Sequence, residues 1–168
     1  MGLPQTIKRL AEYGGVQGVR VTRNAAALGA IAAAGYTLFN ITNGRVYVTS
    51  IYGIVVVQLA AVATTVGLRV RPAAGGGLAV PQNLDSLALN VNAEPVGTIW
   101  SLPDLVTNPM LAALAEVGVA NSSNFNKGFV APAGEIEYVV GGADNTTGTV
   151  RWVLFYVEID PGAKVYAA

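Results

Sequence analysis

The 168-residue chain contains no histidine and no cysteine. Those two absences together remove the usual general base near neutral pH, the thiolate nucleophile, any disulfide framework and most transition-metal ligands. A serine–histidine–acid triad is excluded. A serine–lysine variant would have only Lys8, Lys127 and Lys164 to draw on, none beside a nucleophile-elbow motif. Lack of cysteine suits a reducing cytosol, and equally a particle that must survive outside the cell. Charge is scarce as well, at 12% of residues against 52% apolar. A free-standing monomer needs more surface charge than that, so part of the exterior is expected to be covered by other subunits. The length suits one domain with a real core.

What is present centres on GRVYVTSIYGIVVVQLAAVATTVGLRVRP, residues 44–72. Val46 and Val48 alternate with Arg45, Tyr47 and Thr49, the period of a half-buried strand. The chain then turns apolar on both faces through Ile51, Ile54, Val55, Val56 and Val57, as in a strand covered on both sides. Leu68 and Val70 alternate with Arg69 and Arg71 until Pro72, which has no N–H to give a ladder. Two long central strands are therefore expected, joined by a bend near Gln58 to Thr65. No charge occurs from Val46 to Leu68, so a membrane span over 46–68 is an alternative. Against it stand Thr49, Ser50, Gln58, Thr64, Thr65 and the strand-like start, and no membrane association is expected.

Towards the N-terminus, Leu3 to Tyr13 predicts a short amphipathic helix with Ile7, Leu10 and Ala11 on one face. The basic pair Lys8-Arg9 is followed by Glu12 and glycines rather than an apolar run, so no signal peptide is expected. Val16 to Thr22 alternates weakly, as an edge strand would. Asn24 to Gly35 is alanine-rich, with Asn24 placed to cap a helix and Gly35 to end it; an extended small-residue linker competes. Residues 1–35 are thus expected to form an N-terminal arm and 36–168 the main domain. Asn43-Gly44 is a strong hairpin signal between Thr37–Thr42 and the central strand.

Short apolar pieces with turn signals follow at Ser86–Val91 and Gly97–Ser101, the spacing of a sandwich or barrel of antiparallel strands. Asn108 to Gly118 predicts one inserted helix, with Asn108 as cap and Pro109 at the first position. From Gly134, Ile136, Tyr138 and Val140 alternate with Glu135 and Glu137. After a wide turn, Val150, Trp152, Leu154 and Tyr156 face one way and Val153, Phe155, Val157 and Ile159 the other, which predicts another central strand. The fold class expected is mainly β: an antiparallel β-sandwich, jelly-roll-like, with one or two short helices and a helical N-terminal arm.

Net charge is zero, yet the charges are split along the chain. Up to Arg71 stand Lys8, Arg9, Arg20, Arg23, Arg45, Arg69 and Arg71 against Glu12 alone. From Pro72 onward only Lys127, Arg151 and Lys164 oppose nine carboxylates. Either the two signs meet within one fold, or the basic N-terminal part docks on an acidic neighbour. The second alternative makes Lys8, Arg9, Arg20 and Arg23 the candidate partner-binding residues. The basic residues are scattered, without interleaved aromatics, so nucleic acid is not an expected partner.

No catalytic, cofactor or metal site is expected. Glu135 and Glu137 have a spacing that acid–base work or a cation could use, but charges on a strand face ordinarily discourage edge pairing. Asp144 to Gly148 lacks the glycine and terminal glutamate of a calcium loop and reads as turn chemistry. Gly75-Gly76-Gly77 has no Lys-Ser/Thr after it and is not a phosphate loop. Trp100, Trp152, Tyr47 and Tyr52 could stack on sugars, although a β core accounts for such residues without a ligand.

Three segments, FNITNGRVYVTSIYG (39–53), TGTVRWVLFY (147–156) and PGAKVYAA (161–168), resemble small virion proteins of tailed double-stranded DNA phages. The chain departs from that pattern where such proteins have Tyr-x-Pro-Leu, since Tyr156 is followed by Val157, Glu158 and Ile159. The resemblance implies a capsid decoration or cement protein, homotrimeric, bound to the major capsid protein on the virion surface and present in the host cytoplasm during assembly. It implies no enzyme and carries over no catalytic residue. A tail or baseplate component of the same fold is the alternative.

Overall fold

Alternating apolar and polar residues leave each strand of this chain with one face to hide, and two sheets stacked core to core hide them together. The computed structural model describes residues 18–30, 35–73, 80–103, 107–112 and 128–168. Its strands are β1 (Val19–Ala26), β2 (Tyr36–Thr42), β3 (Val46–Val57), β4 (Thr64–Pro72), β5 (Gln82–Asn83) and β6 (Leu89–Asn90). They continue as β7 (Ile99–Ser101), β8 (Leu111–Ala112), β9 (Phe129–Ala131), β10 (Gly134–Gly142), β11 (Thr149–Glu158) and β12 (Lys164–Ala167). One sheet has the order β1-β11-β3-β7-β8, with β9 also on β3; the other runs β12-β2-β10-β4-β5, with β6 also on β4. Every pairing is antiparallel. The protein is a mainly β, sandwich-like pair of sheets.

The expected inward faces are the observed ones. Val46 and Val48 of β3, Leu68 and Val70 of β4, Ile136, Tyr138 and Val140 of β10, and Val150, Trp152, Leu154 and Tyr156 of β11 are all buried. An aromatic column ties the layers. Tyr36 stacks on Tyr138 at 5.1 Å, Tyr138 on Trp152 across the sheets at 6.4 Å, and Trp152 meets Trp100 at 5.9 Å. Gly53 lies against both indoles, where a Cβ would come within 3.2 Å of each ring.

Four expectations are corrected. Asn43 and Gly44 do take positive φ, 60° and 130°, but β2 and β3 do not pair and belong to opposite sheets. The chain after the turn is held instead by Asp160, which accepts the Arg45 amide at 2.8 Å, while Ile159 and Asp160 amides return to the Arg45 carbonyl. Asn24 to Ala26 end strand β1 rather than begin a helix; the extended alternative holds there, and Gly29 forms a bridge with Asn145. Leu111–Ala112 is a strand where a helix was expected, because its backbone pairs with Trp100 and Ser101. The far end of β3 is not covered on both sides, since Val56 and Val57 are exposed. The helix expected over 3–13, the glycine loop at 75–77 and the polar tip at 121–127 lie outside the described residues.

No helix among the described residues is long and apolar enough to cross a membrane. The apolar run 46–68 is two strands, β3 and the start of β4, joined by a crossing between sheets.

Candidate functional site

Charge placement divides the surface into a neutralised wall and a basic corner. On the outer face of the second sheet, Glu135 stands in register with Arg71 and Glu137 with Arg69. Glu137 is buried, with Oε2 2.7 Å from Arg69 Nε and Oε1 3.2 Å from Arg71 Nε. Glu135 accepts a hydrogen bond from the Thr37 hydroxyl at 3.2 Å. The expected role of these carboxylates as a solvated, edge-protecting face is therefore corrected: β10 lies between β2 and β4, and Glu137 has a guanidinium on each oxygen. That arrangement serves structure, with both carboxylate oxygens occupied by cations.

Arg45 and Asp160 form a further ion pair, at 2.8 Å. Hydrogen bonds from the Arg45 side chain and amide hold the Asp160 carboxyl down to about 2. With Arg69 and Arg71 on Glu137, this shows that the basic and acidic halves of the chain do meet within one fold. Two further carboxylates are buried. Asp85 is buried, its Oδ2 accepting the Leu68 amide at 3.0 Å and its Oδ1 the Leu87 amide at 2.6 Å, and burial still raises it to about 6. Glu94 is also buried, and desolvation raises its pKa against a hydrogen bond from Thr98. Asn145 is buried in the loop expected to be turn chemistry, and its Oδ1 accepts the Ala60 amide at 3.3 Å.

Four further cations make no such pair. Among the described residues, Arg20, Arg23, Arg151 and Lys164 make no ion pair. Arg20 and Arg23 are on β1, Arg151 is on the adjoining β11, and Lys164 is on β12, which lies beside β1 where the two sheets approach. Arg20, Arg151 and Lys164 are exposed. Arg23 points to the core side, opposite Trp152, and its Nε is buried without a hydrogen-bond partner. It faces Tyr138, whose hydroxyl is pushed up to about 12 by burial, with Arg23 opposing the rise.

Of the four residues expected to bind a partner, Arg20 and Arg23 are thus on one strand, while Lys8 and Arg9 lie outside the described residues. Sequence reasoning did not include Arg151 and Lys164. They sit in the acidic half of the chain, and no linear pattern shows that their carboxylate neighbours in sequence are engaged elsewhere in space.

The remaining candidates resolve into packing. Trp100 and Trp152 are buried, and Tyr52 stacks on Phe155 at 6.5 Å on the outer face of the first sheet. No group of three or more acidic side chains able to hold a metal occurs among the described residues. Compared with known proteins, the chain matches no family model, no curated protein and no solved structure.

Proposed function

We propose that this protein is a virion structural component of a tailed double-stranded DNA phage, a decoration or cement protein that binds the outer surface of the major capsid protein shell and stabilises it. The observation that carries the proposal is the basic corner. Among the described residues, Arg20, Arg23, Arg151 and Lys164 on β1, β11 and β12 make no ion pair, whereas Arg69 and Arg71 share Glu137. Uncompensated charge of one sign on a protein so poor in charge suits docking on an acidic neighbour. The resemblance of residues 39–53, 147–156 and 161–168 to phage virion proteins supplies the setting.

Contacts between sister copies are the second element of the proposal, with a trimer favoured. Tyr47 and Val130 stand side by side in register on the outer face of the first sheet, 39% and 57% exposed. Such a pair at the surface suits burial against another copy. The finer architecture proposed with this role is a jelly-roll-like sandwich preceded by a helical N-terminal arm over residues 1–35.

Native mass spectrometry and co-sedimentation with purified capsids test the proposal. A trimer that pellets with capsids and raises their resistance to heat is the expected result. A monomer without affinity for capsids sinks it. Antibody labelling of particles separates the shell from the tail or baseplate.

A further inference from the structure

We infer that the open edge of β1 receives an extended acidic segment of a partner protein, which adds to the first sheet as a further strand and is held there by the exposed Arg20 and Arg151. The inference rests on the basic corner being a docking surface, as proposed above, and does not depend on the partner being a capsid shell.

The edges of the two sheets are finished very differently. On the first sheet, the edge opposite β1 ends in β8, two residues long. On the second, the outer edge of β4 is covered from Thr64 to Val70. β5 pairs with Arg69 and Val70, β6 with Thr65 and Val66, and between them the Leu84 amide donates to the Leu68 carbonyl while the Asp85 carboxylate takes the Leu68 amide. β12 finishes that sheet's other side with four residues. Strand β1 is different. It has eight residues, pairs among the described residues with β11 alone and runs in regular register from Val19 to Arg23 before a bulge. β12 approaches it from the other sheet without pairing to it.

A regular, unpaired edge offers alternate N–H and C=O groups to any extended chain, and proteins ordinarily blunt such edges. Positive charge on an edge repels other basic strands, and the same charge selects an acidic one. Among the described carboxylates, none pairs with Arg20 or Arg151. Asp85 and Glu94 are buried, Glu137 and Asp160 are ion-paired, Glu135 accepts from Thr37, and Asp144 and Glu158 have partners of their own. Within the described residues these cations have no complement, and an acidic strand of another molecule would supply one. A peptide backbone can continue the ladder, whereas a nucleic acid supplies negative charge without matching amides and carbonyls.

The experiment uses the full-length protein and an alternating Glu-Val peptide of about nine residues, the length of an ordinary strand. The comparison probes are a Lys-Val peptide of the same length, the Glu-Val peptide N-methylated at alternate residues, and an oligothymidylate. Hydrogen exchange read by NMR should show the β1 amides slowed about tenfold by the Glu-Val peptide and unaffected by the Lys-Val peptide. The N-methylated peptide, which keeps its charge and loses its ladder donors, should protect nothing. Binding should weaken as salt is added. Arg20→Glu with Arg151→Glu changes two exposed side chains, so the variant should fold, and it should reverse the preference between the two peptides. Absence of protection on β1, equal binding by the N-methylated peptide, tighter binding of the oligonucleotide, or indifference to the double substitution each overturns the inference. Peptide failure with capsid binding intact defeats strand addition alone. Peptide binding without capsid binding defeats the capsid proposal alone.

Discussion

Asp85 Oδ2 accepts the Leu68 amide of β4 at 3.0 Å, so a side chain completes a ladder in the gap between the two short strands β5 and β6. The same carboxylate accepts the Leu87 amide, and Leu87 takes a positive φ of 55° to deliver it. The connection from β4 to β7 is thereby fastened along an edge that would otherwise be open.

This fastening has a pH dependence with a definite sign. Burial raises Asp85 from 3.8 to about 6, so the folded state holds its proton more tightly than the unfolded chain does. The stability it contributes is complete below 3.8 and is lost as pH rises through about 6. At 1.36 kcal/mol per unit, the loss is at most about 3 kcal/mol. Chemical denaturation between pH 4 and pH 8 should show it, and Asp85→Asn should flatten the profile across that window.

Gly67 makes room for this arrangement. A Cβ there would lie 2.3 Å from the Leu87 Cα and 2.5 Å from Asp85 Oδ1, and the first of these is backbone that cannot step aside alone. Gly67→Ala should destabilise by about 1–3 kcal/mol, the usual range for overpacking. Faster hydrogen exchange at the Leu68 amide, ahead of the amides of β11, would locate the damage at the β4 edge.

Glu137 sits between Arg69 and Arg71 with almost no solvent of its own. Glu137→Ala leaves two guanidiniums facing one another over a buried gap and should cost about 3–5 kcal/mol. Arg69→Met combined with Glu137→Leu, which removes the more buried pair together, should cost much less. Equal losses from the single and double variants, measured by urea denaturation, would contradict this account of the wall.

Asp160 titrates low because Arg45 bonds it through both side chain and amide. Its folded value lies below the unfolded one, so its stabilising effect is present above 3.8 and lost as pH falls through about 2. An NMR titration of the Asp160 carboxyl should give a midpoint near 2. Arg45→Ala should move that midpoint upward, the Arg45 amide bond limiting the rise.

Alternation made much of the fold legible. Val46 and Val48 against Tyr47, Leu68 and Val70 against Arg69 and Arg71, and Trp152 and Leu154 against Phe155 all face as their spacing implied, because successive side chains of a strand must point to opposite sides. The candidate site was legible only in its N-terminal half, through Arg20 and Arg23. Arg151 and Lys164 join them by the neighbourhood of β1, β11 and β12, which no local pattern encodes.

The sequence by itself determined that this is a β protein without histidine or thiol chemistry, and which apolar face most of its long strands turn inward. Only the tertiary structure decided which strands pair. β2 and β3, β3 and β4, and β10 and β11 are neighbours in sequence, yet each pair divides between the sheets, while β1 finds β11 from the far end of the chain. The physical reason is that a period of two specifies a face and not a partner. Partner choice follows from packing the aromatic column of Tyr36, Tyr138, Trp152 and Trp100, and from seating Glu137 and Asp160 on their arginines. Those same pairings engage Glu137 and Asp160 and, among the described residues, leave Arg20, Arg23, Arg151 and Lys164 without an ion pair.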